Sequence, residues 1–380
     1  MHIIDRYLLR QFVQTFLICL LSLTGLWIVF DVFTNLNDFI RSGRQTGGVL
    51  SFIISYYSHY WLLVFDLAGG TLAMVSAMFT ISWIQRNNEM TALMAAGVSH
   101  LRVLKPIILA VAVTSLMMAV NRELLLPRYR ADLSRRPQDP LGDKPQSFKT
   151  PRRDNFSDVE MSGKCTYAGQ QRIGEPSFLL RSSALGEYGN QLTADNAYYQ
   201  PPTGDRPGGY LFVNVREPKN LDSRASLPRE KSPILITPRD APGWLKPNQC
   251  FLVSGITFSH LVGNLTYKQL SSTLQLIADL HNPSLGFGAD VRVAIHARIV
   301  QPLLDITLLF LSLPMVVMRE SRKVFWAIGL CMLVTVLFTV VVMTFRHLGE
   351  IVLINPALAA WIPLMIFVPL AVWMTESLWE

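Results

Sequence analysis

The chain has 380 residues, half of them hydrophobic and only 16% charged, with a mean hydropathy of +0.30 and a formal net charge of +7. That balance belongs to a polytopic membrane protein and argues against a soluble enzyme. Most of the positive excess lies between Arg122 and Lys268. A basic domain on one side of a membrane suits anionic lipids or glycolipids, and nothing in the sequence resembles a nucleic-acid reading module.

Residues 1–10 put Ile3, Ile4, Tyr7 and Leu8 on one helical face and Arg6 and Arg10 on the other, which predicts an interfacial elbow helix. The run 12–30 that follows carries no charge and does not end in a small-residue cleavage site, so it is read as a retained span and not as a signal peptide. A bilayer-crossing helix needs about 20 apolar residues. The runs 67–84, 324–345 and 358–374 are likewise free of charge. The run 106–120 is short, but Arg102, Lys105 and Arg122 can extend it by snorkelling, and 299–318 holds one acid, Asp305. Six spans result.

Between the second and third spans lies RNNEMTALMAAGVSH, residues 86–100. Met90, Leu93, Met94 and Gly97 recur at helical spacing, and Glu89 stands where a carboxylate meets the positive end of the helix dipole. This predicts a small helix just outside the bilayer, whose Ala92, Ala95, Ala96 and Gly97 would let another backbone approach closely. An ordinary interhelical loop is the competing reading. Lys and Arg near the span ends set the orientation. With the N-terminus inside, Arg6, Arg10, Arg86, Arg102, Lys105, Arg319, Arg322 and Lys323 face the cytoplasm, against Arg41, Arg44 and Arg346 outside. Both termini and segment 86–100 are then cytoplasmic, and 127–266 is external.

That external stretch is rich in Pro, Gly, Ser and Asn and contains the short runs SFLLRSSAL, LTADNAYYQ, GYLFVNV, SPILIT and CFLVSGITF, which predict an antiparallel sandwich or roll. Cys165 and Cys250 could form a disulfide in an oxidising compartment, with two free thiols the alternative. Leu270, Leu274 and Ile277 then mark a further amphipathic helix, ended by HNPSLGFGAD before the chain re-enters the membrane near Val293.

No Walker A motif, H-E-x-x-H, G-x-S-x-G or C-x-x-C occurs, and the seven histidines are scattered. No cofactor or metal is expected. Ionisable groups inside spans must face protein or water. Asp66, Arg298 and Asp305 are the candidates, either lining a cavity for a polar head group or forming a buried ion pair between helices. Pro302, Pro314, Pro363 and Pro369 allow kinks.

Four stretches carry a resemblance: DRYLLRQF at 5–12, NNEMTALMAAGVSHLRVLKP at 87–106, RIVQPLLDITLLFLSLPM at 298–315 and NPALAAWIPLMIF at 355–367. In these the chain resembles the LptF/LptG family of lipopolysaccharide-export permeases. The resemblance implies an α-helical polytopic membrane protein with six transmembrane helices in a 3 + 3 layout. Residues 1–126 and 267–380 form the membrane halves, and 127–266 an inserted all-β, jelly-roll-like periplasmic domain whose interior passes acyl chains onward. It implies a cytoplasmic ABC ATPase dimer as the consumer of ATP, a second LptF/LptG-type permease subunit, a periplasmic bridge protein, and lipopolysaccharide or a related anionic glycolipid as cargo in the bacterial inner membrane. Segment 86–100 would be the coupling helix, with Glu89 its charged contact and Ala92, Leu93, Ala96 and Gly97 its packed surface. Where the family has a proline early in the second span, this chain reads FDLAGGTLAM, with Asp66 and the pair Gly69-Gly70. Two other classes compete: an intramembrane lipid-modifying enzyme using Asp66, His59 or Asp305, and a non-transporting membrane scaffold.

Overall fold

The computed structural model describes residues 3–45, 48–134, 139, 143–148, 151–180, 190–204, 206–229, 232–241, 243–263, 265–286, 288–317 and 324–376. Arg319, Arg322 and Lys323 of the inside cluster, and the second half of SFLLRSSAL, lie outside them. The described chain divides into two compact units. One comprises Met1–Leu133, Ser271–Leu274 and Gly288–Glu380, the other Ser134–Leu270 and Gln275–Phe287. The division at 133/134 falls a few residues after the composition change at 126/127. It also assigns most of the outer amphipathic stretch to the β unit.

Among the described residues, six helices are long and apolar enough to cross a membrane, and all lie in the first unit. α1 (Ile3–Thr34) is one continuous helix, so the predicted elbow is its first turns and not a separate element. Its buried stripe is Leu8, Phe12, Phe16, Leu20 and Thr24, one residue every fourth position, while Leu17, Ile18, Leu21 and Phe30 point outward. Ile3 and Tyr7 were expected beside Leu8 but are exposed. α2 (Leu36–Gln45) and α3 (Val49–Tyr57) form a pair absent from the sequence reading, closed around Phe39, which touches Phe52, Tyr56 and Tyr57. Asp31 accepts hydrogen bonds from the Tyr57 hydroxyl and from Asn35 Nδ2, which satisfies this acid at the end of the first span.

α4 (Tyr60–Arg86) leads through α5 (Glu89–Ala95) to α6 (His100–Val120), which ends in a π-helical turn, Asn121–Leu125, and the short α7 (Leu126–Arg128) and α8 (Arg130–Leu133). After the β unit come α12 (Ala289–Val317), α13 (Val324–Glu350) and α14 (Pro356–Glu376). α12 and α14 run uninterrupted through their prolines. α4 and α12 are the central pair: 56% and 61% of their most apolar windows are buried, against 17% for α1 and 22% for α13 and α14. The peripheral helices therefore present apolar faces that only lipid or another apolar partner can cover.

The glycines of FDLAGGTLAM explain how the central pair closes. A Cβ at Gly69 would strike Met118 Sδ on α6, and one at Gly70 would strike the Asp305 carboxylate on α12. Two small residues thus let α4 approach two helices at once.

The second unit is an antiparallel sheet of β1 (Gln146–Ser147), β2 (Arg152–Asp154), β3 (Val159–Met161), β4 (Gly163–Tyr167), β5 (Arg172–Leu180), β6 (Gln191–Gln200), β7 (Gly209–Glu217), β8 (Leu227–Arg229), β9 (Ser232–Ile236) and β10 (Gln249–Val253), with the order β1-β4-β5-β6-β7-β10-β9-β8 and β3 pairing both β2 and β5. β1 to β4 and β8 have no counterpart among the predicted runs, because short pieces such as RRD and LPR carry no apolar run. CFLVSGITF is a strand only to Val253. Its end enters α9 (Phe258–Val262) through a capping box in which Thr257 and His260 bond reciprocally. α10 (Leu265–Leu270) and α11 (Thr273–Leu280) replace the single amphipathic helix expected there, and Leu276 is buried where Leu274 had been expected.

The inward side chains of this sheet, among them Ile173, Phe178, Leu192, Tyr210, Phe212 and Leu252, are fully buried in a single cluster that Ile256, Phe258 and Leu261 join. Phe178 and Phe212 meet edge to face at 5.0 Å, and the Tyr210 hydroxyl donates to Ile256 O at 3.0 Å. The interior is therefore packed with side chains. Buried Asp154 accepts from Ser254 Oγ at 2.6 Å and from the Phe156 and Ser157 amides, which fixes the turn after β2.

Candidate functional site

α5 is bounded by two residues in left-handed conformation. Asn88 (φ 58) turns the chain out of α4, and Gly97 (φ 78) turns it into α6. The end of α5 is a Schellman motif: Gly97 N donates to Met94 O at 2.9 Å and Val98 N to Leu93 O at 3.1 Å, with glycine at the position that needs positive φ. Met90 is buried, and Leu93, Met94 and Val98 pack against the core of the membrane unit. Thr91, Ala92, Ala95, Ala96 and Gly97 are exposed. Of the residues expected to form a docking surface, Ala92, Ala96 and Gly97 are therefore available, whereas Leu93 anchors the segment from behind. Glu89 is half-buried and accepts a long hydrogen bond, 3.4 Å, from the Tyr7 hydroxyl of α1.

The ionisable residues singled out within spans converge at the opposite end of these helices, where the chain leaves for the β unit and returns. Their partners are not the ones expected. Asp66, in the second turn of α4, accepts from Arg122 Nε of the π-helical turn at 2.8 Å. Asp305, mid-α12, accepts from Ser115 Oγ at 2.8 Å and Gln301 Nε2 at 2.9 Å, and Gln301 Oε1 in turn accepts from Arg346 Nη2 of α13 at 2.7 Å. Arg298 donates to Ser271 O at 2.8 Å, with Arg122, Glu123 and Asp66 in electrostatic reach. Asn121 Nδ2 donates to Leu62 O at 3.0 Å and ties the π-helical turn to α4. The cleft beside Arg122 and Arg298, lined by Ser115, Met118, Gln301 and Pro302, measures about 10 Å³, room for one water. Within this chain the cluster is a packed polar network and not a head-group cavity. Asp66 pairs with Arg122, a residue outside the three candidates, and Arg298 and Asp305 are held by other partners.

Arg122 had been read as a snorkelling residue and Arg346 as an outer loop charge, so neither was tied to Asp66 or Asp305. The one readable signal was Arg298, Gln301 and Asp305 on one face of α12. His59 stacks on Tyr129 at 4.0 Å and bonds Ser58 Oγ. Asp66 is held by Arg122 and not by His59. A groove of about 660 Å³ opens between α12 and α14, lined by Leu303, Ile306, Phe310, Leu364, Val368 and Val372.

In the β unit both cysteines are free thiols, the second of the two alternatives the sequence leaves open. Cys165 sits on β4 and Cys250 on β10, with β5, β6 and β7 between them in the sheet, and Cys250 is fully buried, which pushes its thiol pKa up. Asp279 joins three local elements: it accepts from the Tyr267 hydroxyl at 2.6 Å and lies 3.3 Å from His260 Nε2. His260 Nδ1 accepts the Thr257 amide at 3.1 Å, so the proton sits on Nε2 and is donated to Asp279. Among the described residues no group of His, Cys, Asp and Glu is arranged to hold a metal.

Among the described residues, six helices long and apolar enough to cross a membrane, three before and three after an inserted antiparallel sheet in sequence, define a polytopic membrane protein. The chain belongs to the LptF/LptG family: the family model described as lipopolysaccharide export system permease LptF/LptG matches residues 6–156 and 210–377. Its role is that of a permease in lipopolysaccharide export, in a family of transporters and not of enzymes. A search of the curated proteins gave no match.

Proposed function

We propose that this chain is one permease half of an ABC-type exporter that extracts lipopolysaccharide or a related anionic glycolipid from the inner membrane. A cytoplasmic ATPase dimer docks on segment 86–100 and a second LptF/LptG-type subunit covers the exposed helices. The β unit hands lipid to a periplasmic bridge. The observation that carries this reading is the build of α5, a seven-residue helix with a small-residue outer surface and an inner surface of Met90, Leu93 and Met94 keyed into the membrane core. Such an element passes a push from outside directly to α4 and α6, which it joins. The thinly buried α1, α13 and α14 supply the apolar surface on which a partner subunit and lipid would lie. Because the β unit is filled by its own side chains, lipid passage there requires the unit to open.

Glu89→Lys tests the docking. Charge reversal beside the exposed small surface is expected to abolish co-purification with the ATPase while leaving the melting temperature of the permease in detergent unchanged. Undiminished co-purification of the ATPase with this variant would refute the assignment.

A further inference from the structure

Beyond docking, the bonds at the far end of α6 identify a second working part, and this inference rests on the proposed function. Glu123 lies in the π-helical turn that continues α6, a local under-wound geometry that shifts side chains off the regular helical face. Its carboxylate takes the Thr273 amide at 2.9 Å and 3.2 Å and also the Thr273 hydroxyl. Thr273 is the first residue of α11, so a carboxylate 150 residues away in sequence caps that helix at the end where backbone amides lack intrahelical acceptors. Arg298 of α12 holds the same segment from another side, through Ser271 O at 2.8 Å and Thr273 Oγ1 at 3.4 Å. Ser271–Leu274 is thereby gripped by both halves of the membrane unit, and it is the short piece of that unit set between Leu270 and Gln275 of the β unit.

A cap can be supplied by a local Ser, Thr or Asp, as Thr257 does for α9. Here it comes from the helix that begins at the α5 end. We infer that Glu123 is a positioning residue for export: it passes displacement of α6 to the short segment inserted in sequence between the two pieces of the β unit, so that movement begun at α5 reaches that unit along the chain. The grip is a continuous one and stays closed through the cycle.

The test uses full-length permease with its ATPase and partner subunit in proteoliposomes containing lipopolysaccharide, reading lipid released per ATP hydrolysed. Glu123→Ala is expected to lower that ratio about tenfold, the factor one charge-assisted hydrogen bond is worth in an equilibrium, with ATPase rate and co-purification retained. Glu123→Gln keeps one carbonyl acceptor for the Thr273 amide and is expected to retain most of the coupling. Should Glu123→Ala simply misfold, Thr273→Val, which removes only the hydroxyl, gives a milder loss in the same ratio. Tethering Glu123→Cys to Thr273→Cys with a short bifunctional thiol reagent is expected to restore coupling. An unchanged ratio in Glu123→Ala and Thr273→Val, or arrest of release by the tether, would overturn the inference. Absence of ATP-driven release by the unaltered protein would instead refute the proposed function.

Discussion

Asp66, half-buried, and Asp305, buried, are two acids in neighbouring membrane helices, and each is neutralised differently. Asp66 meets a guanidinium, while Asp305 receives a hydroxyl and an amide and has Arg122 and Arg346 only in electrostatic reach. A buried acid stripped of its partner costs several kcal/mol, about 3 to 5, so the distribution of donors is what makes both tolerable. The cysteines show the opposite economy, since neither is engaged with the other. Cys250, closed in the core of the sheet with its thiol pKa raised, is expected to resist a hydrophilic thiol reagent until the protein is unfolded, whereas Cys165 on β4 reacts in the native state. Peptide mapping of labelled sites under non-reducing conditions checks this. Protection of both, even after denaturation, would mean that they are bonded.

At the level of elements, the α4–α12 contact depends on glycine. Asp305 is held on two sides and cannot swing away, whereas Met118 is a flexible side chain that can. Gly70→Ala is therefore expected to destabilise the membrane unit by about 1 to 3 kcal/mol through overpacking, and Gly69→Ala by less. Thermal unfolding in detergent should rank the two variants in that order. Equal midpoints for Gly70→Ala and the unaltered chain would show that α12 yields. α5 illustrates the same dependence on small residues at a surface, where Gly97 closes the Schellman turn and the alanines leave the backbone approachable.

For the whole molecule, the two units divide the labour along the chain: one embedded half, an inserted sheet, and a second embedded half whose first helix completes the polar network begun in the first. Positive charge near the span ends predicts the α5 end in the cytoplasm and the β unit on the other side. In a chain freed of its native cysteines, Gln170→Cys is expected to react with a membrane-impermeant thiol reagent applied from the periplasm. Ala95→Cys, exposed at the α5 end, is expected to react only once the inner membrane is breached. The reverse labelling pattern would invert the orientation and remove α5 from any cytoplasmic ATPase.

The six spans, the 3 + 3 grouping, the β character of the insertion and the helix at 89–95 could all be read from the sequence, because each depends on residues close together in the chain: an apolar run long enough to cross a bilayer, an alternating strand, a glycine that permits a left-handed turn. The polar network could not. Ser115 and Asp305 are 190 residues apart and Glu123 and Thr273 are 150 apart, so no periodicity links them, and only the packing of α4, α6 and α12 brings Arg122 to Asp66 instead of Arg298 to Asp305. The separation of Cys165 from Cys250 was settled in the same way. Strand order, unlike strand content, is chosen by which edges bury the most apolar surface together, and that choice is made by the whole sheet at once.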